Sequence, residues 1–259
     1  MKKIIILLAI YIFLAVVFFN PVSANNSEND NMEVIPEKDG VYDVPGHPNL
    51  KVRVFIHKAR PPRIIEPSLI CDLSDPDSSS VVGATGWRLP AVWTYNLNPG
   101  SVPSSVGSAN IANISSLSFG NWQSASGSKV TFITGPNTTI SRKGLDGKNI
   151  IAWGRTSGSA LGVTYTWYNP STGLAVETDT IMNKKFSWSW SGNFGGCADG
   201  NSYDAQNILT HELGHWIGLD DEYASGFANN TMYGYGSKGE IKKDTLTSGD
   251  ITGVSEIYP

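Results

Sequence analysis

The sequence predicts an α+β domain. Short β-type runs fill the chain from residue 51 to residue 182, a strong hairpin signal sits at residues 169–173, and two amphipathic helical segments follow residue 204. Strands first and helices last is the order of a segregated α+β fold rather than of repeated βαβ units.

Taken in order, Lys51 to His57 (KVRVFIH) reads as a strand, and Pro61-Pro62 ends it. Ala91 to Tyr95 (AVWTY) is a second strand. Residues 104–124 place Ile111, Ala112, Ser115, Phe119 and Trp122 at helical spacing, with Gly107 weakening the start. Val130–Ile133 and Ile150–Trp153 are short strand candidates. Residues 161–168 and 175–182 flank Asn169-Pro170-Ser171-Thr172-Gly173 and predict a hairpin. Asp204 to Ile217 is helical, with Leu209, Leu213 and Trp216 on one face and Gly218 placed to stop it. Thr247 to Tyr258 opens on Thr247-x-x-Asp250, a capping-box pattern, and carries Ile251, Val254, Ile257 and Tyr258 on one side.

Residues 1–24 have the order of a secretory signal peptide: Lys2 and Lys3, an apolar run, then Val22-Ser23-Ala24. Export is therefore expected, without stable membrane association after cleavage. Asn25 to Gly40 is polar and acidic. Asp72 to Ser80 is rich in Ser, Asp and Pro, and the expected division is a leader or propeptide at 25–84 and a main domain at 85–259. Charged residues make up 16% of the chain and the formal charge is −4, which argues against a nucleic-acid partner. Cys71 and Cys197 are the only cysteines. In an oxidising compartment they are expected to pair, the rival being Cys71 as a thiolate plug on a metal.

The chemistry is concentrated in His211-Glu212-Leu213-Gly214-His215-Trp216-Ile217-Gly218-Leu219-Asp220-Asp221. Residues four apart share a helix face, so His211 and His215 can reach one ion, opposite the Leu209 and Leu213 stripe. Glu212 falls on the flank, able to reach a water on that ion without binding it. No histidine follows His215, so a third ligand has to be a carboxylate or a rarer donor. Gly218 can turn the chain back, which brings Asp221 into range; Asp220 and Glu222 are local competitors, and Glu240 and Glu256 remote ones.

HELGHWIGLDD resembles the long zinc motif of the metzincin metallopeptidases, in the variant with Asp as third ligand. Thr231-Met232-Tyr233-Gly234-Tyr235 is similar to their Met-turn, and LTSGDITGVSEIYP, Phe119-x-x-Trp122 and Val130-Thr131-Phe132 are similar to matrixin segments. The likeness covers about residues 85 to 259 and is closest to bacterial and archaeal matrixin-like peptidases. It implies a twisted, mostly parallel sheet with an antiparallel edge strand, an active-site helix, a Met-turn with Met232 beneath the metal, and a C-terminal helix. It also implies a secreted, monomeric, zinc-dependent endopeptidase in which His211, His215 and Asp221 hold Zn2+. Glu212 would be the general base toward a metal-activated water, and the substrate a protein or peptide. An extended substrate would lie along an edge strand, with residues 160–164 the candidate. Matrixins often hold calcium, and Glu177 and Asp179 are possible contributors, although a solvated strand face is the plainer expectation.

The leader lacks a Pro-Arg-Cys-Gly latency motif, the domain has no histidines for a second zinc, and Gly234 stands where some metzincins have a tyrosine. The reading from another class is a secreted, non-catalytic binding module with a structural metal. Such sites are usually closed by four protein ligands, whereas only three are readily named here.

Overall fold

A computed structural model describes residues 35–61 and 68–259. The expected signal peptide and the acidic segment to residue 34 lie outside the described residues. Among the described residues no helix is long and apolar enough to cross a membrane.

Strands β1 (Gly40–Asp43) and β2 (Lys51–Ala59) come from the expected leader, followed by the short β3 (Leu69–Ile70). β4 (Val92–Leu97) leads to α1 (Ile111–Ala125), then β5 (Thr131–Thr134) and β6 (Ile150–Gly154). The long hairpin is β7 (Ala160–Asn169) with β8 (Leu174–Asn183). Three short strands, β9 (Trp188–Ser189), β10 (Ala198–Asp199) and β11 (Tyr203–Asp204), precede α2 (Ala205–Ile217). β12 (Tyr235–Gly236) and α3 (Ser248–Ile257) complete the chain.

The central sheet runs β1-β2-β7-β8-β6-β4-β5, with β12 also on β2. It is mixed: β4, β5, β6 and β8 run parallel, while β8, β7, β2 and β1 alternate in direction. The fold is thus mixed α and β, compatible with the expected class. One expectation needs correction. The antiparallel strand β7 is not an edge, because β2 pairs along it from Lys51↔Tyr168 to Lys58↔Ala160. The sheet includes β1 and β2 from the expected leader segment. β2 was read as a strand from its own pattern, but its partner lies about a hundred residues away, beyond the reach of local periodicity.

The helices cover one face of the sheet. There Phe119, Trp122, Trp153, Leu209, Leu213, Trp216 and Met232 are buried in one cluster. On the other face Val163, Tyr165, Trp167 and Ile181 form one cluster with Ile35, Val44, Val52 and Val54 of the leader. α1 starts at Ile111 rather than near 104, and Ala112 is exposed; Ile114 and Ser118 complete its buried face. The Asp72–Ser80 segment is no free linker. It docks on the start of α3, with Ser248 N–H donating to Asp77 (2.7 Å) and Gly249 N–H to the Ser78 carbonyl (2.7 Å). Cys71 and Cys197 form a disulfide, as expected, and no thiolate plug is available.

Glu177 and Asp179 are buried rather than solvated. Their four oxygens accept backbone N–H groups of Asp146, Gly147, Gly144 and Ile150 at 2.6–3.0 Å, which pins the loop before β6. Burial raises the Glu177 carboxyl from 4.5 to about 7, and burial beside Glu177 raises Asp179 as well. The folded state then holds protons that the unfolded chain releases, so stability is expected to fall as pH rises from 4.5 to about 7. Thermal unfolding across that range should show a declining Tm, and Glu177→Gln should flatten the decline.

Candidate metal centre

α2 presents the candidate ligands because its start and stop are both fixed. Asp204 caps it, accepting from Gln206 N–H (2.9 Å) and Asn207 N–H (3.0 Å). Gly218 ends it at φ 111°, and a Cβ there would meet the Trp87 carbonyl at 2.4 Å. The left-handed turn that only glycine adopts easily sends the chain back under the helix.

That return places Asp221 against both histidines. Its Oδ1 lies 3.2 Å from His211 Nε2 and 3.7 Å from His215 Nε2. Asp220 points the other way, toward Arg53 at 3.2 Å. Glu222 accepts from Gly83 N–H, which removes the other local competitor. The three facing atoms are all buried, and none has a hydrogen-bond partner. Such groups normally cost about 1–3 kcal/mol each when left unpaired. Three of them converging is the signature of a cation site, and His211, His215 and Asp221 form a group able to hold one metal ion.

The outer contacts fix the ligating nitrogens. His211 Nδ1 donates to the Thr231 carbonyl (2.7 Å) and His215 Nδ1 to the Leu219 carbonyl (3.0 Å), which leaves both Nε2 atoms as acceptors. Burial holds both imidazoles neutral, His215 down to about 3, and neutral imidazole is the ligating form. Thr231 is pinned in turn by Asp250 of α3, which also accepts from Met232 N–H and closes the Thr247 capping box. Met232 packs directly against α2: a Cβ on Gly214 would meet its sulfur at 2.1 Å. The seating of Met232 therefore requires glycine at position 214.

Glu212 is fully buried beside the ligand group, and burial raises its carboxyl to about 8. Its Oε2 accepts from Thr164 Oγ1 (2.5 Å) on β7. Direction can be assigned along the chain behind it. The Trp216 indole can only donate, so Thr180 Oγ1 accepts from it (2.9 Å), donates to Thr164 (2.7 Å), and Thr164 donates to Glu212. Gly162 leaves the room for this carboxylate, since a Cβ there would meet Oε1 at 2.4 Å. Glu212 Oε1 itself is unpartnered and faces His57 Nδ1 at 3.5 Å.

Sequence reasoning missed two residues of this site. His57, from β2, has its ring 3.8 Å from that of His211 and its Nδ1 3.5 Å from Glu212 Oε1. Lys243, fully buried, donates to His57 Nε2 (3.1 Å) and to the Tyr233 and Tyr235 carbonyls (2.5 and 3.0 Å). His57 was one of only four histidines in the chain, which is the one signal that could have singled it out. Neither Tyr233 nor Tyr235 hydroxyl has a contact to the ligand group among those described.

No protein-family model and no curated protein matches this chain.

Thr164→Val removes a buried donor of nearly the same shape and strands both Glu212 and Thr180. It is expected to cost about 1–3 kcal/mol of stability in denaturant unfolding, with Thr164→Ser recovering most of it.

Proposed function

We propose that the chain is a secreted zinc-dependent endopeptidase of metzincin type. The observation that supports it best is the set of three buried, partnerless ligand atoms with a fourth partnerless carboxylate oxygen, Glu212 Oε1, beside them. Two imidazole nitrogens and one carboxylate oxygen, 3.2 and 3.7 Å apart across the two histidine–aspartate pairs, suit a tetrahedral ion with bonds of about 2.0–2.1 Å, the geometry of zinc. Three protein ligands leave one position open. An ion held there supplies Lewis acidity, which polarises a carbonyl and makes a water more acidic.

The protein's own groups do the rest. Glu212 would receive the proton at Oε1 while Thr164 holds Oε2. Its burial favours the protonated form after transfer, which suits return of that proton to a leaving amine. The sequence likeness to the metzincin motif and the seating of Met232 under α2 support the family reading. The Cys71–Cys197 bond supports an oxidising, extracellular setting.

The rival reading is a non-catalytic module in which His57 closes the site as a fourth ligand. The Lys243 ammonium speaks against it. With its Nε2 accepting from Lys243, His57 is the tautomer whose Nδ1 is a donor, although His57, His211 and Glu212 are also close enough to form a second group able to hold an ion.

In a preparation that cleaves casein, Glu212→Gln is expected to lower turnover by about 10²–10⁴-fold with metal content unchanged. Retained turnover would remove the proposed base. Elemental analysis is expected to show metal loss in Asp221→Ala and retention in Asp220→Ala; equal content in both would place the third ligand elsewhere.

A further inference from the structure

The turn that returns from α2 carries more than the third ligand. Its residues 221–223 run alongside the segment that follows Met232. Glu222 N–H donates to the Met232 carbonyl (2.9 Å), Gly234 N–H donates to the Glu222 carbonyl (2.9 Å), and Glu222 bridges Tyr233 in parallel. In backbone extended this way, alternate side chains share a face. Glu222 turns away to accept from Gly83 N–H (3.2 Å), while Asp221 and Tyr223 lie side by side.

The Tyr223 hydroxyl donates to Asp221 Oδ2 (3.2 Å), and Oδ1 is the oxygen that faces His211 and His215. An ionised carboxylate can only accept, so the direction of this bond is fixed. The ring that carries the hydroxyl is closely seated. A Cβ on Gly234 would meet Tyr223 Cε1 at 2.5 Å, Cζ at 2.7 Å and the hydroxyl oxygen at 3.0 Å, so the ring lies on bare backbone there. Tyr235 meets it edge-on, with centroids 5.3 Å apart at 80°, and the Lys58 ammonium lies 4.2 Å over its centre. Oδ1 has no hydrogen-bond partner and Oδ2 has this one, so the two oxygens of one carboxylate are given different tasks.

We propose that Tyr223 is a positioning residue for Asp221: it restrains Oδ2 so that only Oδ1 binds the ion, which keeps the fourth coordination position free. The proposal rests on the metal reading of His211, His215 and Asp221, and its test needs no hydrolysis. Carboxylates bind metals through one oxygen or through both. Without its outer donor, Asp221 could turn Oδ2 onto the same ion and fill the position that three protein ligands leave open. The tyrosine hydroxyl opposes that turn, as outer partners orient ligands generally.

The test compares the full chain with Tyr223→Phe, which keeps the ring on Gly234 and removes only the oxygen. Zinc affinity is read by competition with a chromogenic chelator. Ligand number is read from the visible spectrum of the cobalt(II)-loaded protein, because four-coordinate cobalt absorbs far more strongly than five-coordinate cobalt. Tyr223→Phe is expected to weaken zinc binding about 10–100-fold and to lower the cobalt absorption. Tyr235→Phe removes the neighbouring hydroxyl and should change neither. Weaker binding alone is what any loosened ligand would give, so an unchanged cobalt spectrum in Tyr223→Phe overturns the proposal whatever the affinity does. An equal spectral change in Tyr235→Phe overturns it too. X-ray absorption by zinc in the unsubstituted chain is a check that does not depend on the folding of a variant. Four nitrogen or oxygen neighbours are expected there, and five or more would overturn the proposal. A chain that binds no zinc removes the metal reading itself, whereas zinc held in the same way without the hydroxyl removes the role of Tyr223 alone.

Discussion

The structure is organised around a charge deficit: buried acceptor atoms of His211, His215 and Asp221 face one another with no proton between them. Lone pairs brought this close repel, and in a dry interior that repulsion is poorly screened. The arrangement is sustained by what lies behind each atom. The Thr231 carbonyl holds one imidazole, the Leu219 carbonyl the other, and the Tyr223 hydroxyl reaches the far oxygen of Asp221 at 3.2 Å. Each of these outer groups is itself placed by a distinct piece of the fold. Asp250 on α3 sets Thr231, and the turn at Gly218 sets Leu219. An aspartate near the C-terminus and a helix-stopping glycine thus determine which nitrogen each histidine offers to a cation.

The two polar systems of the site are kept apart by the direction of their hydrogen bonds. The Trp216–Thr180–Thr164 chain ends by donating to Glu212, so one oxygen is committed and the other left open. The Lys243 chain ends by donating to His57. Where the two meet, a donor nitrogen faces an acceptor oxygen across 3.5 Å, a little beyond a good hydrogen bond. The contact is electrostatically suited but loose.

Much of this was legible in the sequence, and the reasons are local. The four-residue spacing of His211 and His215, the Gly218 stop, the hairpin at 169–173 and the Thr247–Asp250 cap each declare themselves within a dozen residues. Asp221 could be favoured but not separated from Asp220, since neighbouring residues in a turn differ in direction, not in reach. What stayed hidden was long-range. Lys51 to His57 reads as a strand, yet nothing in its pattern says it lies on β7 or that its alternate side chains belong to two different clusters. Glu177 and Asp179 looked like polar positions on a solvated face because the loop amides that bury them are not neighbours in sequence. Lys243, in a charged stretch with Glu240, Lys242 and Asp244, gave no sign of being the one turned inward.

The alternation of β2 couples the ligand group to the sheet. Phe55 and His57 face the ligand group, while Val52 and Val54 pair beside Trp167 and Tyr165 on the other face. A one-residue slip would reverse every assignment, setting valines over the polar site and the imidazole into the apolar core. The irregularity between His57 and Lys58, where pairing passes from Gly162 to Ala160, confines the strand to a single register just where the site begins.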